Sequence, residues 1–413
     1  MISLRKIFVI LISCLTIFSL GGVIPLTHAA SVIDARAAMM VDADTGQVIY
    51  EQGADKQLPV ASVSKLLTIA VVHDELQKNI ITADSRVSVT PAIAAISNDP
   101  AYSSIDLAAG RSYPVIELLN AAMVKSADGA TLALATAAGN SPDEFVLAME
   151  KKAREVGLRK TSIVNPTGLT NSEMKSFRSP NIADNVENAM SARDIAILTR
   201  YLLRTYPALL QVSDQKKANF LITKGNVKRI ANLNEMLPGG RYTVPGVTIT
   251  GLKTGTSDNA GACFVSTGKY HGHQIITVVL HAGGHNPDNR FIQTQRLYAM
   301  LKHDYRLERV RLPQAVRQAV VTNGAKRTVA TCPTTVTIWG TGRLTSYTAS
   351  QELNPRLIGD QGRLRAPIRN HQRVGQLYLT SPHLKTVSGV PLIYPLRSTE
   401  VVPRGNFLQW LFN

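Results

Sequence analysis

The sequence predicts an α+β protein that ends in a small all-β domain, and three observations support this prediction. Apolar residues recur at helical spacing in several segments between residues 62 and 205. Strand-like runs with short glycine-rich connections follow at 247–280. Beyond residue 304 only short β-like runs remain, separated by turns rich in Pro, Gly and Asn.

Turn and cap signals place the elements along the chain. Two strands surround the turn at 43–46, and Gly129 is a natural stop for a helix that ends just before it. Ser141 and Ser191 are typical N-cap residues, each with an acidic residue in the following turn. The predicted helices are 62–78, 114–124, 130–138, one starting at 141, one starting at 191, and 290–303. The predicted strands are 37–42, 47–52, 247–252, 262–267, 274–280, 327–331, 335–339, 376–379 and 390–394.

The first thirty residues are typical of a secretory signal peptide. Arg5 and Lys6 precede an almost wholly apolar run at 7–26, and small residues at 27–30 offer a cleavage site. The run is also about long enough to span a bilayer, so an uncleaved anchor is the alternative. We therefore expect an exported protein with a signal peptide at 1–30, a main domain at 31–304, a β-rich domain at 305–402 and a short tail at 403–413.

The tail at 403–413 places apolar residues behind Arg404, and these are Phe407, Leu408, Trp410, Leu411 and Phe412. Such a segment is able to lie in a membrane interface as an amphipathic anchor. The alternative is an ordinary hydrophobic cap on the β-rich domain.

The formal net charge of +16 favours anionic partners. For an exported protein these are phospholipid headgroups at the membrane surface and anionic wall polymers. We expect no nucleic-acid partner, because the sequence has no dense basic helix or recognition motif. Without the signal segment only Cys263 and Cys332 remain, which predicts two separate small buried side chains rather than a disulfide framework.

Three short motifs carry the chemistry: Ser62-Val63-Ser64-Lys65, Ser126-Ala127-Asp128 and Lys253-Thr254-Gly255-Thr256. A serine and a lysine three residues apart place a hydroxyl and an amine on one face of a helix. A second serine is able to relay a proton, and the Lys-Thr-Gly run fits a strand edge that binds a carboxylate. Each motif alone is weak, but their order and combination predict nucleophilic catalysis at Ser62.

A serine hydroxyl attacks only after a base has removed its proton, so Lys65 must be partly uncharged. Burial and a second cation, Lys253, both favour the neutral amine. Ser126 then carries a proton toward the leaving amine. Backbone N–H groups of Ser62 and Thr256 form the predicted oxyanion hole, and the product is an acyl-enzyme on Ser62 that water releases.

These motifs resemble those of the low-molecular-weight penicillin-binding proteins, the serine D-alanyl-D-alanine carboxypeptidases. Further similar segments are Asn165-Pro166-Thr167-Gly168-Leu169, Ser191-Ala192-Arg193-Asp194, Gly251–Thr256 with Ala260-Gly261, and Arg365-Ala366-Pro367-Ile368 with Val374-Gly375. The resemblance covers about residues 35–402. It implies a penicillin-binding-protein/β-lactamase-like transpeptidase fold, in which helices flank an antiparallel sheet.

The resemblance also implies the function. Members of this family trim the terminal D-alanine from peptidoglycan stem peptides in the bacterial cell wall and are acylated by β-lactam antibiotics. Ser62 is then the nucleophile, Lys65 the base and Ser126 the relay. Lys253, Thr254 and Gly255, with Asp128, form the substrate-binding set. No metal or organic cofactor is implied.

The second motif departs from the family pattern Ser-x-Asn, because Asp128 occupies the third position. An ionised aspartate only accepts hydrogen bonds, whereas an asparagine also donates them. Its charge beside Lys65 favours the charged amine. We therefore expect an activity that is weaker, more pH-dependent or shifted in substrate.

Two other functions share this fold. A class A β-lactamase requires a Glu-x-x-Leu-Asn segment between the second and third motifs, and the sequence has none there; Glu352-Leu353-Asn354 follows the third motif. A catalytically impaired wall-binding homologue is the other alternative, which the presence of Ser62 and Lys65 disfavours. A metal site formed by the clustered residues His271, His273, His281 and His285 is also disfavoured, because nearby glycines predict solvated loop histidines.

Overall fold

The computed structural model describes residues 32–406, apart from residues 224 and 343. The predicted signal peptide and the apolar residues of the predicted tail lie outside the described residues. No helix in the described part of the chain has both the length and the apolar character needed to cross a bilayer. The predicted boundary at 304–305 stays a prediction.

A five-stranded antiparallel sheet forms the centre of the fold, in the order β10 (Thr248–Ser257), β11 (Gly261–Tyr270), β12 (His273–Ala282), β1 (Ala35–Asp42) and β2 (Val48–Gln52). Sequence-distant strands therefore meet, because β1 from the start of the chain pairs with β12. The strands up to this point are β1 (Ala35–Asp42), β2 (Val48–Gln52), β3 (Leu58–Pro59), β4 (Arg86–Ser88), β5 (Ser112–Pro114), β6 (Thr161–Ser162), β7 (Ala189–Met190), β8 (Lys217–Thr223), β9 (Asn226–Ala231), β10 (Thr248–Ser257), β11 (Gly261–Tyr270) and β12 (His273–Ala282).

Helices cover both faces of this sheet. The helices are α1 (Lys65–Gln77), α2 (Pro91–Ser97), α3 (Val115–Val124), α4 (Asp128–Ala135), α5 (Pro142–Val156), α6 (Ala192–Thr205), α7 (Leu209–Ser213) and α8 (Asn289–His303). Side chains of β1 alternate between the faces: Met39 packs into the larger core with α1 to α7, and Met40 into a second core with α8. Because both faces of β1 are buried, successive residues of this strand are apolar instead of alternating with polar ones.

The predicted helix starts are present. Ser141 and Glu144 form a capping box at α5, and the Ser191 side chain accepts a hydrogen bond from the Asp194 N–H at α6. The predicted helix at 62–78 begins as a 3₁₀ turn, Ala61–Ser64, before it continues as α1. The predicted helix at 130–138 instead begins at Asp128, which places an acidic side chain in its first turn.

Beyond α8 the chain is rich in strands, as predicted. These are β13 (Arg306–Arg311), β14 (Gln318–Thr322), β15 (Thr328–Cys332), β16 (Thr335–Gly340), β17 (Thr348–Leu353), β18 (Leu364–Arg365), β19 (Arg373–Thr380) and β20 (Leu392–Ser398). They enclose a core of their own that includes Val329, Leu377 and Leu396. The α+β architecture predicted from the sequence is therefore confirmed.

Candidate active site

Ser62 lies in the 3₁₀ turn that leads into α1. Ala61 has a positive φ of 47°, and its carbonyl oxygen accepts a hydrogen bond of 2.8 Å from Ser64 Oγ. Gly168 packs against this turn so closely that a Cβ there would lie 2.1 Å from the Ala61 carbonyl oxygen. The turn is thus held in an uncommon backbone conformation, and a glycine neighbour is required for it.

The amine of Lys65 is the centre of the site. Its Nζ donates to Ser62 Oγ at 2.6 Å, to Asp128 Oδ1 at 2.7 Å and to the Thr167 carbonyl oxygen at 2.7 Å. Lys65 is completely buried, so these three acceptors replace its hydration. The contact between Lys65 and Ser62 is the one that the sequence spacing predicts.

Two effects act on the pKa of Lys65. Burial is the larger effect and lowers this pKa, while the charge and hydrogen bond of Asp128 raise it. The pKa of Lys65 lies below its usual value of 10.5 as a result. Asp128 acts in the direction expected from the sequence, but burial outweighs it.

Ser126 and Lys253 form a second pair on the neighbouring wall. Ser126 sits in the turn between α3 and α4 with φ of 64°, and its Oγ accepts a hydrogen bond of 2.8 Å from Lys253 Nζ. Lys253 also donates to the Thr254 carbonyl oxygen at 2.9 Å. Because β10 is an edge strand of the sheet, the Lys-Thr-Gly run lies at a sheet edge, as predicted.

Lys253 is also buried. Burial and then repulsion by Lys65 hold the pKa of Lys253 well below 10.5, and Asp128, which contacts Lys65 directly, opposes this only in part. The expectation from the sequence that Lys253 favours the neutral form of Lys65 stays a prediction.

Asp128 is engaged by protein groups through both carboxylate oxygens. Oδ1 accepts from Lys65, and Oδ2 accepts from the Ser103 N–H at 3.2 Å. Only 3% of the residue is exposed. The structure thus places Asp128 next to Lys65, whereas its predicted contact with substrate stays a prediction.

The end of β10 packs tightly against the serine turn. A Cβ at Gly255 would lie 2.5 Å from the Val60 carbonyl oxygen, so glycine is required for this approach. Arg290 of α8 supports the strand from the other side. Its Nη1 donates to the Gly255 carbonyl oxygen at 2.8 Å and its Nη2 to Thr256 Oγ1 at 2.7 Å. Thr254 and Gly255 are buried, and Thr256 is exposed next to them.

Several supporting residues were not predicted as site residues. Asn165 Oδ1 accepts from the N–H groups of Thr167 and Gly168, which fixes the carbonyl that contacts Lys65. Asn188 Nδ2 donates to Ser64 Oγ at 2.9 Å. Asn165 could have been found from its sequence, because Asn-Pro-x-Gly is typical of a turn. No local pattern marks Asn188 or Arg290.

The histidine prediction is partly wrong. His273 and His281 lie in β12, not in a loop, while His271 and His285 are exposed. His273 Nδ1 lies 2.6 Å from Asp42 Oδ2, which also accepts from Trp339 Nε1 at 2.8 Å. Ligand atoms of Asp42, Asp44 and His273 lie within 4.8 Å of one another, but this Asp42 oxygen already serves two donors. The group therefore acts as a hydrogen-bonded link to the β-rich region.

Both cysteines within residues 32–406 are free. Cys263 is buried and Cys332 is partly buried, on strands β11 and β15 respectively. The absence of a bond between these two side chains agrees with the sequence prediction of two separate thiols.

Comparisons with known proteins agree with this geometry. D-alanyl-D-alanine carboxypeptidase DacF of Bacillus subtilis is 26% identical over 389 residues, which cover 92% of this chain and 88% of that protein. The solved peptidoglycan synthesis regulatory factor (PBP3) of Streptococcus pneumoniae superposes with a TM-score of 0.78 at 29% identity, covering 90% of this chain and 100% of that one. Penicillin-binding protein D2 of Listeria monocytogenes, solved in its ampicillin-bound form, has a TM-score of 0.51 at 26% identity, covering 65% and 98%.

These structures confirm the penicillin-binding-protein fold that the motif resemblance predicts. The family model described as D-alanyl-D-alanine carboxypeptidase matches residues 25–284 and thus includes the serine turn, Ser126 and the Lys253 strand. Because that match, the fold and the arrangement of the three motifs all agree, the chain belongs to the D-alanyl-D-alanine carboxypeptidase family.

Proposed function

We propose that this protein is a serine-type D-alanyl-D-alanine carboxypeptidase that removes the terminal D-alanine from peptidoglycan stem peptides. The observation that carries the proposal is the 2.6 Å contact between Lys65 Nζ and Ser62 Oγ inside a buried site. Membership of the carboxypeptidase family supports the substrate class.

Acylation follows from the positions of the polar groups. Ser62 Oγ attacks the carbonyl carbon of the D-Ala–D-Ala bond while its proton passes to the neutral amine of Lys65. The developing oxyanion is stabilised by the N–H groups of Ser62 and Thr256. Ser126 gives its hydroxyl proton to the departing amine nitrogen and is reprotonated by the proton that Lys65 took from Ser62, so the peptide bond breaks, D-alanine leaves and Lys65 is neutral again. A water molecule later attacks the ester on Ser62 and regenerates the serine hydroxyl.

Lys253 binds the carboxylate of the terminal D-alanine in this proposal. Its pKa is lowered by burial and by Lys65. A substrate carboxylate beside this amine raises the pKa again and favours the charged form. Thr254 and Gly255 complete the binding edge.

The same groups account for covalent penicillin binding. A β-lactam presents a strained cyclic amide and a carboxylate, which fit Ser62 and Lys253 in the same way as the peptide. The ampicillin-bound relative supports this part of the proposal. Because the chain has no Glu-x-x-Leu-Asn segment between Asp128 and Lys253, we expect slow release of the penicilloyl group.

Mass spectrometry after exposure to penicillin tests the mechanism. We expect one adduct that maps to Ser62, its loss in Ser62→Ala, and release of D-alanine from a peptide ending in D-Ala-D-Ala. An adduct on another residue would overturn the assignment of Ser62. Rapid penicillin hydrolysis would favour the β-lactamase alternative, and absence of both adduct and D-alanine release would favour the impaired wall-binding homologue.

We also propose that the protein is exported and acts at the membrane surface and cell wall. The sequence of residues 1–30, the net charge of +16 and the wall location of the proposed substrate support this. Sequencing the N-terminus of protein recovered from the cell envelope tests the export. Sedimentation with anionic vesicles, compared between the full chain and a chain ending at residue 402, tests the tail.

A further inference from the structure

A buried carboxyl group that the acylation scheme does not use lies beside the end of β10. Glu187 is 5% exposed, and its Oε1 accepts a hydrogen bond of 2.8 Å from Ser257 Oγ. Its Oε2 is buried without a hydrogen-bond partner among the described residues. Ser257 directly follows Thr256, whose N–H belongs to the proposed oxyanion hole. Glu187 is therefore connected to that hole through one side chain.

The neighbouring residue, Asn188, contacts the turn that carries the other proposed donor, the Ser62 N–H. Its carbonyl oxygen accepts from the Val60 N–H at 3.1 Å, and its Nδ2 donates to Ser64 Oγ at 2.9 Å. Val60 and Ser64 lie on either side of Ser62 in sequence. Residues 187–188 thus connect the end of β10 to the serine turn.

Residues 187–188 make this connection where the end of β10 and the serine turn are tightly packed. The Val60 carbonyl oxygen would lie 2.5 Å from a Cβ at Gly255, so the strand and the turn are in direct contact. The oxyanion hole needs two N–H groups at a fixed separation, one from Ser62 and one from Thr256. We therefore expect a change at Glu187 to alter the distance between these two N–H groups.

We propose that Glu187 is a positioning residue for the oxyanion hole: it holds Thr256 in place through Ser257, and its ionisation adds a negative charge that disfavours the oxyanion. The proposal rests on the acyl-enzyme mechanism proposed above. It assigns no contact between Glu187 and substrate.

The surroundings of Glu187 favour its neutral form. Burial, together with the acidic groups Glu173 and Asp258, raises the pKa of Glu187 to about 7, although the hydrogen bond from Ser257 acts in the opposite direction. The charge of this carboxyl group in turn raises the pKa of the Cys263 thiol on β11. Ionisation near neutral pH therefore adds a negative charge close to the position where the oxyanion develops, which disfavours acylation.

The test compares acylation rates of the full-length protein with a fluorescent penicillin at pH 6 and pH 8.5. Glu187→Gln keeps an oxygen that can accept from Ser257 but cannot ionise. We expect the ratio of its rate to the wild-type rate to lie near one at pH 6 and to rise about threefold or more by pH 8.5. Taking a ratio removes the pH dependence that both proteins share through Lys65.

Glu75→Gln is the matched control. Glu75 is also buried, with 8% exposure, and burial raises its pKa to about 7. It lies ten residues beyond Lys65 on α1, which is about 15 Å along the helix. Its rate ratio is expected to be the same at both pH values.

Ser257→Ala provides a second variant, because it breaks the link without altering Glu187. We expect about a tenfold loss of acylation rate at both pH values, because the carboxyl oxygen accepts from Ser257 in either protonation state. A pH-independent ratio for Glu187→Gln together with a wild-type rate for Ser257→Ala, or an equal change in Glu75→Gln, would overturn the role of Glu187 while leaving the acyl-enzyme intact. A wild-type protein that forms no adduct on Ser62 would overturn both proposals.

Discussion

The amine of Lys65 lies 2.7 Å from Oδ1 of Asp128, and both side chains are buried. This ion pair opposes the effect of burial, because it favours the charged amine, whereas burial favours the neutral one. In the proposed mechanism, the pH at which Lys65 becomes able to accept a proton from Ser62 is therefore set by a balance between these two effects. An asparagine at position 128 would remove one side of that balance.

We predict that Asp128→Asn shifts the rising limb of the acylation–pH profile to lower pH. Removing the carboxylate lowers the pKa of Lys65 further, so more of the amine is neutral near pH 7. The penicillin acylation rate at pH 7 should rise several-fold. Stopped-flow measurement of acylation between pH 5 and pH 10 checks this.

In Asp128→Asn, the side-chain amide also has to accept the hydrogen bond that the Ser103 N–H donates to Asp128 Oδ2 in the wild-type protein. Asp128→Ala is the control, since it removes the charge and both acceptors. It should shift the limb in the same direction but lower the plateau rate. If Asp128→Asn abolishes labelling while the protein remains folded, Asp128 has a catalytic role of its own.

A second prediction concerns the close contact of Gly168 with the serine turn. A Cβ at Gly168 would lie 2.1 Å from the Ala61 carbonyl oxygen, and φ is +86°. Gly168→Ala should lower the free energy of unfolding by about 2–4 kcal/mol and reduce acylation of Ser62, because the turn must move. Urea unfolding and penicillin labelling measure the two effects.

Gly157→Ala is a matched control for this substitution. Gly157 has a similar φ of +89°, but no atom lies within 4 Å of a Cβ built there. Gly157→Ala should lower the free energy of unfolding by only about 1 kcal/mol, because of the backbone conformation. Penicillin should label its Ser62 at the wild-type rate. Equal losses in the two variants would show that the contact with Ala61 is unimportant.

Local signals were sufficient for most of the fold. The helix starts at Ser141 and Ser191 were predictable because their caps depend on residues three positions away. The hairpin of β8 and β9 was missed, since apolar Leu221 and Val227 lie on its exposed side and weaken the alternation of polar and apolar residues. The pairing of β1 with β12 joins residues more than two hundred positions apart, which local patterns do not encode.

The site was predictable to a similar extent. The three motifs identified the side chains that meet in the site, since hydroxyl and amine groups are visible in residue types. The contact of Lys65 with Asp128 within this group joins residues 63 positions apart. Asn188 and Arg290 were missed because each acts through a contact between distant elements.

A third prediction concerns Arg290, which supports the Lys-Thr-Gly strand. Its guanidinium donates to the Gly255 carbonyl oxygen and to Thr256 Oγ1 at once, and a lysine amine is unable to span both acceptors. Arg290→Lys should slow acylation about tenfold or more. Arg296→Lys on the exposed side of the same helix is the control and should acylate at the wild-type rate. Normal acylation in Arg290→Lys would argue against a supporting role.

The last prediction concerns the link between the central sheet and the β-rich region. The hydrogen bond to Asp42 raises the pKa of His273 above 6.5, and burial opposes this. Since the folded state binds the proton more tightly, this contribution is fully present below the unfolded pKa and is lost as pH rises through the folded pKa. His273→Asn should therefore lower the free energy of unfolding by roughly 1–3 kcal/mol at pH 6 and by less at pH 9. Urea unfolding at both pH values measures the difference, with exposed His383→Asn as the control. An equal loss of unfolding free energy at both pH values would mean that His273 contributes by packing rather than through the attraction between its positive charge and Asp42.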